Sequence, residues 1–216
     1  MKKLLSIVAL IIAGAVIFSA CKKDDVTPPV ITLNGSASVS HVLNATYTDA
    51  GATATDDEDG EVNVTSDATT VVNVDLVGTY TITYTASDAA GNVATETRTV
   101  EVSNASKDLA GTYSGSDVMA GTTTPYSETV SVSTVVNKRI LFANYTSYMN
   151  TNVYANVTGT TIDVPSQSFT TSGGITYTTF GTGTITTIGS TTTIVVNYHV
   201  VDLSGNDDLG TFTLSK

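Results

Sequence analysis

Gly78-Thr79-Tyr80-Thr81-Ile82-Thr83-Tyr84-Thr85-Ala86 is the stretch that decides the fold class. Its alternation puts Tyr80, Ile82, Tyr84 and Ala86 on one face and threonines on the other, because successive side chains of an extended chain point to opposite sides. This predicts an antiparallel strand with one face on a core and the other in water. The same chemistry recurs throughout. Threonine, valine, serine and tyrosine dominate, and the β-branched residues among them stiffen χ1 and favour extended backbone. No long stretch combines helix-period apolar spacing with good helix formers. The chain reads as all-β.

Working outward, similar runs bounded by turn residues fill residues 28–103. Val30–Leu33 opens a strand, and Val42–Tyr47 and Ala52–Thr55 read as the next two. After the acidic turn Asp56-Asp57-Glu58-Asp59-Gly60 come Glu61–Thr65 and Thr70–Val74, also read as strands. Asp88-Ala89-Ala90-Gly91-Asn92 is a turn, closed by side-chain to backbone hydrogen bonds from Asp88 and Asn92. Val93–Val102 is the closing strand, ending on the inward pair Val100 and Val102. About seven short strands separated by turns fit an immunoglobulin-like sandwich. Pro28-Pro29-Val30-Ile31, Gly78–Tyr84, Ser87–Ala94 and Arg98-Thr99-Val100 together resemble a bacterial Ig-like domain family found in surface proteins, adhesins, polysaccharide-degrading enzymes and crystal toxins. The resemblance implies a spacer or presenting module and carries no catalytic residues.

Ser103–Lys107 is polar, with 104–107 as the linker to a second domain at 108–216. Val130, Val132, Thr134 and Val136 form a stripe that a turn at Asn137-Lys138 joins to Ile140–Ala143 as a hairpin,. Val153, Ala155 and Val157 mark a strand, Ile162 and Val164 a short one ending at Pro165, and Gln167–Gly174 a loop. Ile175–Ile185, the stripe Ile194, Val196, Tyr198 and Val200, and Phe212–Leu214 complete about eight strands, which suggest a meander closed as a barrel or folded as a curved sandwich. Gly111-Thr112-Tyr113 before such a meander resembles the lipocalin-like opening. The domain also resembles the uncharacterised β domains that follow Ig-like modules in Bacteroidetes lipoproteins.

The amino terminus addresses the chain. Met1-Lys2-Lys3, an apolar run from Leu4 to Phe18 and Ser19-Ala20 before Cys21 have the three parts of a secretory signal,. The run is 15 residues, short of the roughly 20 that cross a bilayer. With the only cysteine directly after the small pair, residues 1–20 resemble a lipoprotein signal, Phe18 standing where the family usually has leucine. This implies cleavage before Cys21 and a lipid on its thiol, leaving 21–27 as a tether. Lys23-Asp24-Asp25 resembles the surface-export signal of Bacteroidetes lipoproteins, which implies the outer face of the outer membrane, with the periplasmic face as the alternative. With Cys21 lipidated, no thiol is left for a disulfide, so packing alone must hold both domains.

The chain carries 9 basic and 20 acidic side chains, a net charge of −11. Loss of Lys2 and Lys3 takes this to −13, which repels nucleic-acid phosphates and anionic lipid,. Asp56, Asp57 and Asp59 cluster oxygen ligands as a hard cation such as calcium requires. They match the EF-hand pattern only in fragments, and a solvated turn is the favoured expectation. His41, read in a turn, and His199, in a strand, have no sequence companion of metal or triad type, and no nucleophile-elbow, zincin, P-loop or dinucleotide motif occurs,. Tyr145, Tyr148, Tyr154 and Tyr177 are candidate ligand-binding rings, Tyr145 and Tyr148 being the pair expected at the surface. The expectation is therefore a non-enzymatic surface lipoprotein without a cofactor, whose Ig-like spacer presents a β domain that binds a glycan or a partner protein. The alternatives are an assembly subunit of an outer-membrane complex and a lipocalin-like carrier of a small apolar ligand.

Overall fold

The computed structural model describes residues 24–146, 153–171 and 174–216. Fifteen strands dominate these residues. The first seven are β1 (Val30–Leu33), β2 (Ser38–Val42), β3 (Ala52–Asp56), β4 (Gly60–Val62), β5 (Val64–Ser66), β6 (Gly78–Ser87) and β7 (Val93–Ser103). They form a three-stranded sheet, β1-β3-β4, and a four-stranded sheet, β2-β7-β6-β5. This is the Ig-like domain. The deciding stretch is β6, and Ile82, Tyr84 and Ala86 are buried as its alternation demands. In β7 the buried set is Arg98, Val100 and Val102.

The described residues group into two compact units, one of residues 24–34, 51–66 and 84–96 and the other of residues 35–50, 67–83 and 97 onward. Within the first, β1 pairs with β3, β3 with β4, and β5 with the end of β6 at Val64↔Ala86. Glu61–Thr65, expected as one strand, is two: the chain leaves one sheet at Val62 and enters the other at Val64. Within the second unit, β2 runs parallel to the end of β7, from Ser38↔Thr99 to Val42↔Ser103. The expected strand Val42–Tyr47 is thus displaced to Ser38–Val42, and His41 lies in it rather than in a turn. The strand stops because Asn44 adopts φ 61°, a left-handed conformation that asparagine tolerates,. Thr70–Val74, expected extended, instead begins in a four-residue helical turn, α1 (Ala68–Val71). Asp67 imposes it, because its carbonyl accepts the Thr70 and Val71 N–H groups while its side chain accepts that of Thr83. These local bonds outweigh the β propensity of Thr-Val-Val.

Asn104 in the linker is buried and organises its surroundings in the second unit. Its Nδ2 donates to the Ser133 and Val136 carbonyls at 2.9 and 3.0 Å, and its Oδ1 accepts from Ser106 and Lys138. A 3₁₀ turn, Lys107–Leu109, then leads to β8 (Gly111–Met119), β9 (Thr122–Val132), β10 (Arg139–Phe142), β11 (Val153–Thr158), β12 (Thr161–Thr170), β13 (Thr176–Ile188), β14 (Thr191–Asp202) and β15 (Asp207–Ser215). All eight are antiparallel and close into a barrel, β15 pairing back to β8. The β9 stripe ends at Val132 rather than Val136, and a six-residue connection with Lys138 at φ 57° joins it to β10. Gln167–Thr170, expected in a loop, continues β12, with a register shift between Val164 and Gln167. Pro165 has no N–H for the ladder, so a bulge accommodates it without ending the strand.

Alternate residues of the barrel strands fill its interior. Phe142, Tyr145, Tyr198 and Phe212 form an aromatic cluster with ring centroids 5.4–6.0 Å apart, wrapped by Val130, Ile140, Val153, Ile162, Ile194 and Leu214. The ring of Tyr198 lies where a Cβ on Gly210 would stand, so only glycine leaves room for it.

Candidate functional site

The outer wall of the barrel carries the most site-like surface. Strand register aligns Phe180, His199 and Leu209 in one row across β13, β14 and β15. Phe180 and Leu209 are 37 % and 63 % exposed, although both are large apolar residues. The Phe180 and His199 rings stack at 4.5 Å with planes 10° apart. His199 Nδ1 lies 3.0 Å from Asp207 Oδ2. A carboxylate only accepts, so Nδ1 is the donor of this contact,. Asn197, two residues along the same face, accepts from the Thr211 hydroxyl at 2.7 Å.

Two open grooves flank this row and share Asn197 and His199. One, of about 480 Å³, runs along Asp163, Pro165, Ser166 and Phe180. The other, of about 430 Å³, runs along Val118, Ala120, Leu209 and Thr211. The bulge at Pro165 matters here, because it interrupts the β12–β13 register beside Phe180. The sequence singled out His199 but not Phe180. In the sequence Phe180 is one apolar residue among threonines, and only the register across three strands shows what stands beside it.

The candidate tyrosines do not converge. Tyr145, expected at the surface, is fully buried at 0 % exposure in the aromatic cluster, because the chain turns inward after β10. Its hydroxyl accepts from Thr179 at 3.4 Å, and burial raises its pKa. Tyr148 lies outside the described residues. The Tyr154 ring is covered by the Arg139 guanidinium at 4.0 Å,. Tyr177 stacks on Phe169 with centroids 5.8 Å apart. Of the acidic-turn candidates, Asp57 and Asp59 are exposed and Asp56 is buried. Asp59 Oδ2 accepts from the Ala89 N–H.

A second polar group lies within the barrel, and sequence reading did not separate it from the surface acids. Asp117 on β8 and Glu128 on β9 are 1 % and 0 % exposed. Asp117 accepts a 2.7 Å hydrogen bond from the Tyr198 hydroxyl. Burial, then the Asp117 carboxylate, push the Tyr198 pKa up. Glu128 Oε1 accepts from the Thr129 and Asn144 N–H groups at 2.8 Å, while Oε2 and the Tyr126 hydroxyl have no hydrogen-bond partner among the described residues. Burial raises the Glu128 pKa despite those two bonds. The alternation of β9, with 126, 128 and 130 facing inward, was the available signal. Buried in this way, the two acids belong to the polar network of the barrel core,.

Comparison with known proteins agrees with the first domain's architecture. Residues 31–102 match the family model described as bacterial surface protein, Ig-like domain. Residues 31–102 are thus similar to a bacterial surface Ig-like domain, and the strands of an eight-stranded antiparallel barrel follow them. Among solved structures it is similar to a lipoprotein from Bacteroides thetaiotaomicron, at 13 % identity and TM-score 0.31, covering 86 % of this chain and 98 % of that one. It is also similar to a protein of unknown function from Bacteroides ovatus, at 13 % identity and TM-score 0.38, covering 69 % of this chain and 61 % of that one. A third similarity is to a Clostridium perfringens ZmpB structure of CBM51-2 in complex with GlcNAc and INT domains, at 14 % identity and TM-score 0.27, covering 86 % and 43 %. No curated protein matches the sequence.

Proposed function

We propose that this is a non-enzymatic lipoprotein of the outer membrane, anchored at Cys21 and facing outward, whose barrel wall binds a glycan. The observation that carries the binding reading is the row Phe180–His199–Leu209 with Asn197 and Asp207 beside it. A sugar ring offers one apolar C–H face and a rim of hydroxyls. It needs a flat apolar partner with amide and carboxylate groups at its edge, and that pairing exists here on rigid strands. The tyrosines named from the sequence are secondary in this reading, since those described are buried or covered. The packed aromatic interior argues against carriage of an apolar ligand inside the barrel,.

The test is a glycan array probed with the full chain in mild detergent, beside the Phe180→Ala and His199→Ala variants. The expected result is binding that weakens by roughly tenfold or more when either ring is removed, the scale of one stacking contact. Glycan binding indifferent to both changes would place the site elsewhere. A second reading, docking of a partner protein on this wall, is favoured by the exposed Leu209 and Val118,. It predicts no glycan signal and capture of a protein that Leu209→Asp abolishes.

A further inference from the structure

The acidic turn supplies one carboxylate to a cluster assembled from three separated points of the chain. Asp25 precedes β1, Asp56 ends β3, and Asp88 follows β6. One carboxylate oxygen of each lies within 4.8 Å of those of the other two. Asp56 and Asp88 are more than nine-tenths buried. Three negative groups this close repel one another and lose hydration, so each needs compensation.

Asp88 has it. Asn92 donates to both its oxygens, from N to Oδ1 and from Nδ2 to Oδ2, each at 2.7 Å. Burial raises its pKa, but the hydrogen bonds from Asn92, Gly91 and Ala90 outweigh this and hold the carboxyl below the usual aspartate range. Asp56 is compensated on one side only. Its Oδ1 accepts from the Glu58 and Asp59 N–H groups at 2.9 and 3.0 Å, and its buried Oδ2 accepts nothing among the described residues. Its neighbours in the cluster are the Asp25 and Asp88 carboxylates. The carbonyls of Asp25 and Thr27 accept from Asn92 Nδ2 at 3.3 Å, which places them beside the Asp88 carboxylate that the same Nδ2 bonds. A buried carboxylate oxygen without a donor, in a nest of oxygens, is the arrangement a hard cation resolves.

We propose that Asp25, Asp56 and Asp88 bind one calcium ion, with carbonyl oxygens of the 25–27 segment available to complete its shell. Calcium fits better than magnesium. It takes oxygen ligands at about 2.3–2.6 Å in irregular geometry, a sphere that spans this separation, whereas magnesium demands a smaller octahedron. The ion ties the segment preceding β1 to the β3–β4 and β6–β7 turns. It would therefore stiffen the junction between tether and Ig-like domain wherever calcium is abundant. The set differs from the one the sequence suggested: Asp56 is common to both, but Asp57 and Asp59 give way to Asp25 and Asp88.

The test is calcium calorimetry on the full chain in mild detergent after chelation, with thermal melting in calcium and in EDTA. The expected result is one saturable site and a higher melting temperature in calcium. Asp56→Asn and Asp88→Asn should each weaken binding by about tenfold or more, since ligand charge sets affinity in such sites. Asp56→Asn keeps an Oδ1 for the Glu58 and Asp59 N–H groups, whereas Asp88→Asn keeps the acceptor for the Asn92 N–H but loses the one for Asn92 Nδ2. In EDTA Asp56→Asn should melt at or above the parent, because a repelling charge has gone and its turn hydrogen bonds remain. Asp57→Asn should bind like the parent. Absence of saturable binding up to about 5 mM calcium, above the range of extracellular sites, overturns the proposal. So does undiminished binding by Asp56→Asn.

Discussion

Glu128 shows how one side chain couples barrel stability to pH. Its carboxyl is buried, one oxygen has no partner among the described residues, and burial raises its pKa above the ordinary 4.5. Between 4.5 and the raised value the folded protein holds a proton that the unfolded chain has released. Stability contributed by this group is therefore present below pH 4.5 and is lost as pH rises through the folded pKa,. Glu128→Gln keeps the acceptor for the Asn144 and Thr129 N–H groups and removes the charge. It should stabilise the protein at pH 7 by about 1–3 kcal/mol, the scale of an uncompensated buried polar group. The gain should vanish at pH 4, and urea unfolding at the two pH values checks both parts. Arg98 illustrates the opposite arrangement. It is 1 % exposed, yet it pairs with Asp49 and donates Nε to the Ser36 carbonyl at 3.0 Å, so its charge is met inside the fold.

At the level of elements, turn chemistry sets the barrel's order. Gly159 and Gly189 open two-residue hairpin turns with positive φ, the geometry that suits the right-handed twist of paired strands,. The β8–β9 turn is less well matched. Ala120 at φ 49° and Gly121 at φ 79° both occupy the left-handed region, where alanine is strained,. Ala120→Asn restores the Asn-Gly pair favoured at such turns and should add about 0.5–1 kcal/mol of stability, read from chemical denaturation. Strand existence was legible from alternation, because each inward stripe, such as Ile194, Val196, Tyr198 and Val200, advertises itself at a period of two. Strand ends were not. Asp67 bends Thr70-Val71 into α1 through a bond to Thr83, and the ladder carries β12 past Pro165 on a bulge. Both outcomes depend on partners distant in sequence.

For the whole molecule, the proposed lipid on Cys21 is a membrane attachment that one substitution removes. Among the described residues no helix is long and apolar enough to cross a bilayer. Cys21→Ser should move the protein from the membrane fraction to the soluble fraction, checked by fractionation and immunoblotting. The barrel's apolar surface is inside, around Phe142 and Phe212, and its outward strand positions are mostly threonine, serine and asparagine.

The sequence by itself determined that the chain is all-β, that residues 28–103 have the alternation and turn spacing of an Ig-like domain, and that a further set of strands follows. These properties reside in local alternation, turn residues and motif spacing, which survive in one dimension. Tertiary structure decided which side chains meet. It closed the meander by pairing β15 with β8, buried Tyr145, and aligned Phe180 with His199 and Leu209. It also gathered Asp25, Asp56 and Asp88 from opposite ends of the first domain. The physical reason is that a site is made by strand register and loop convergence. Both depend on contacts between residues tens of positions apart, which no local pattern encodes.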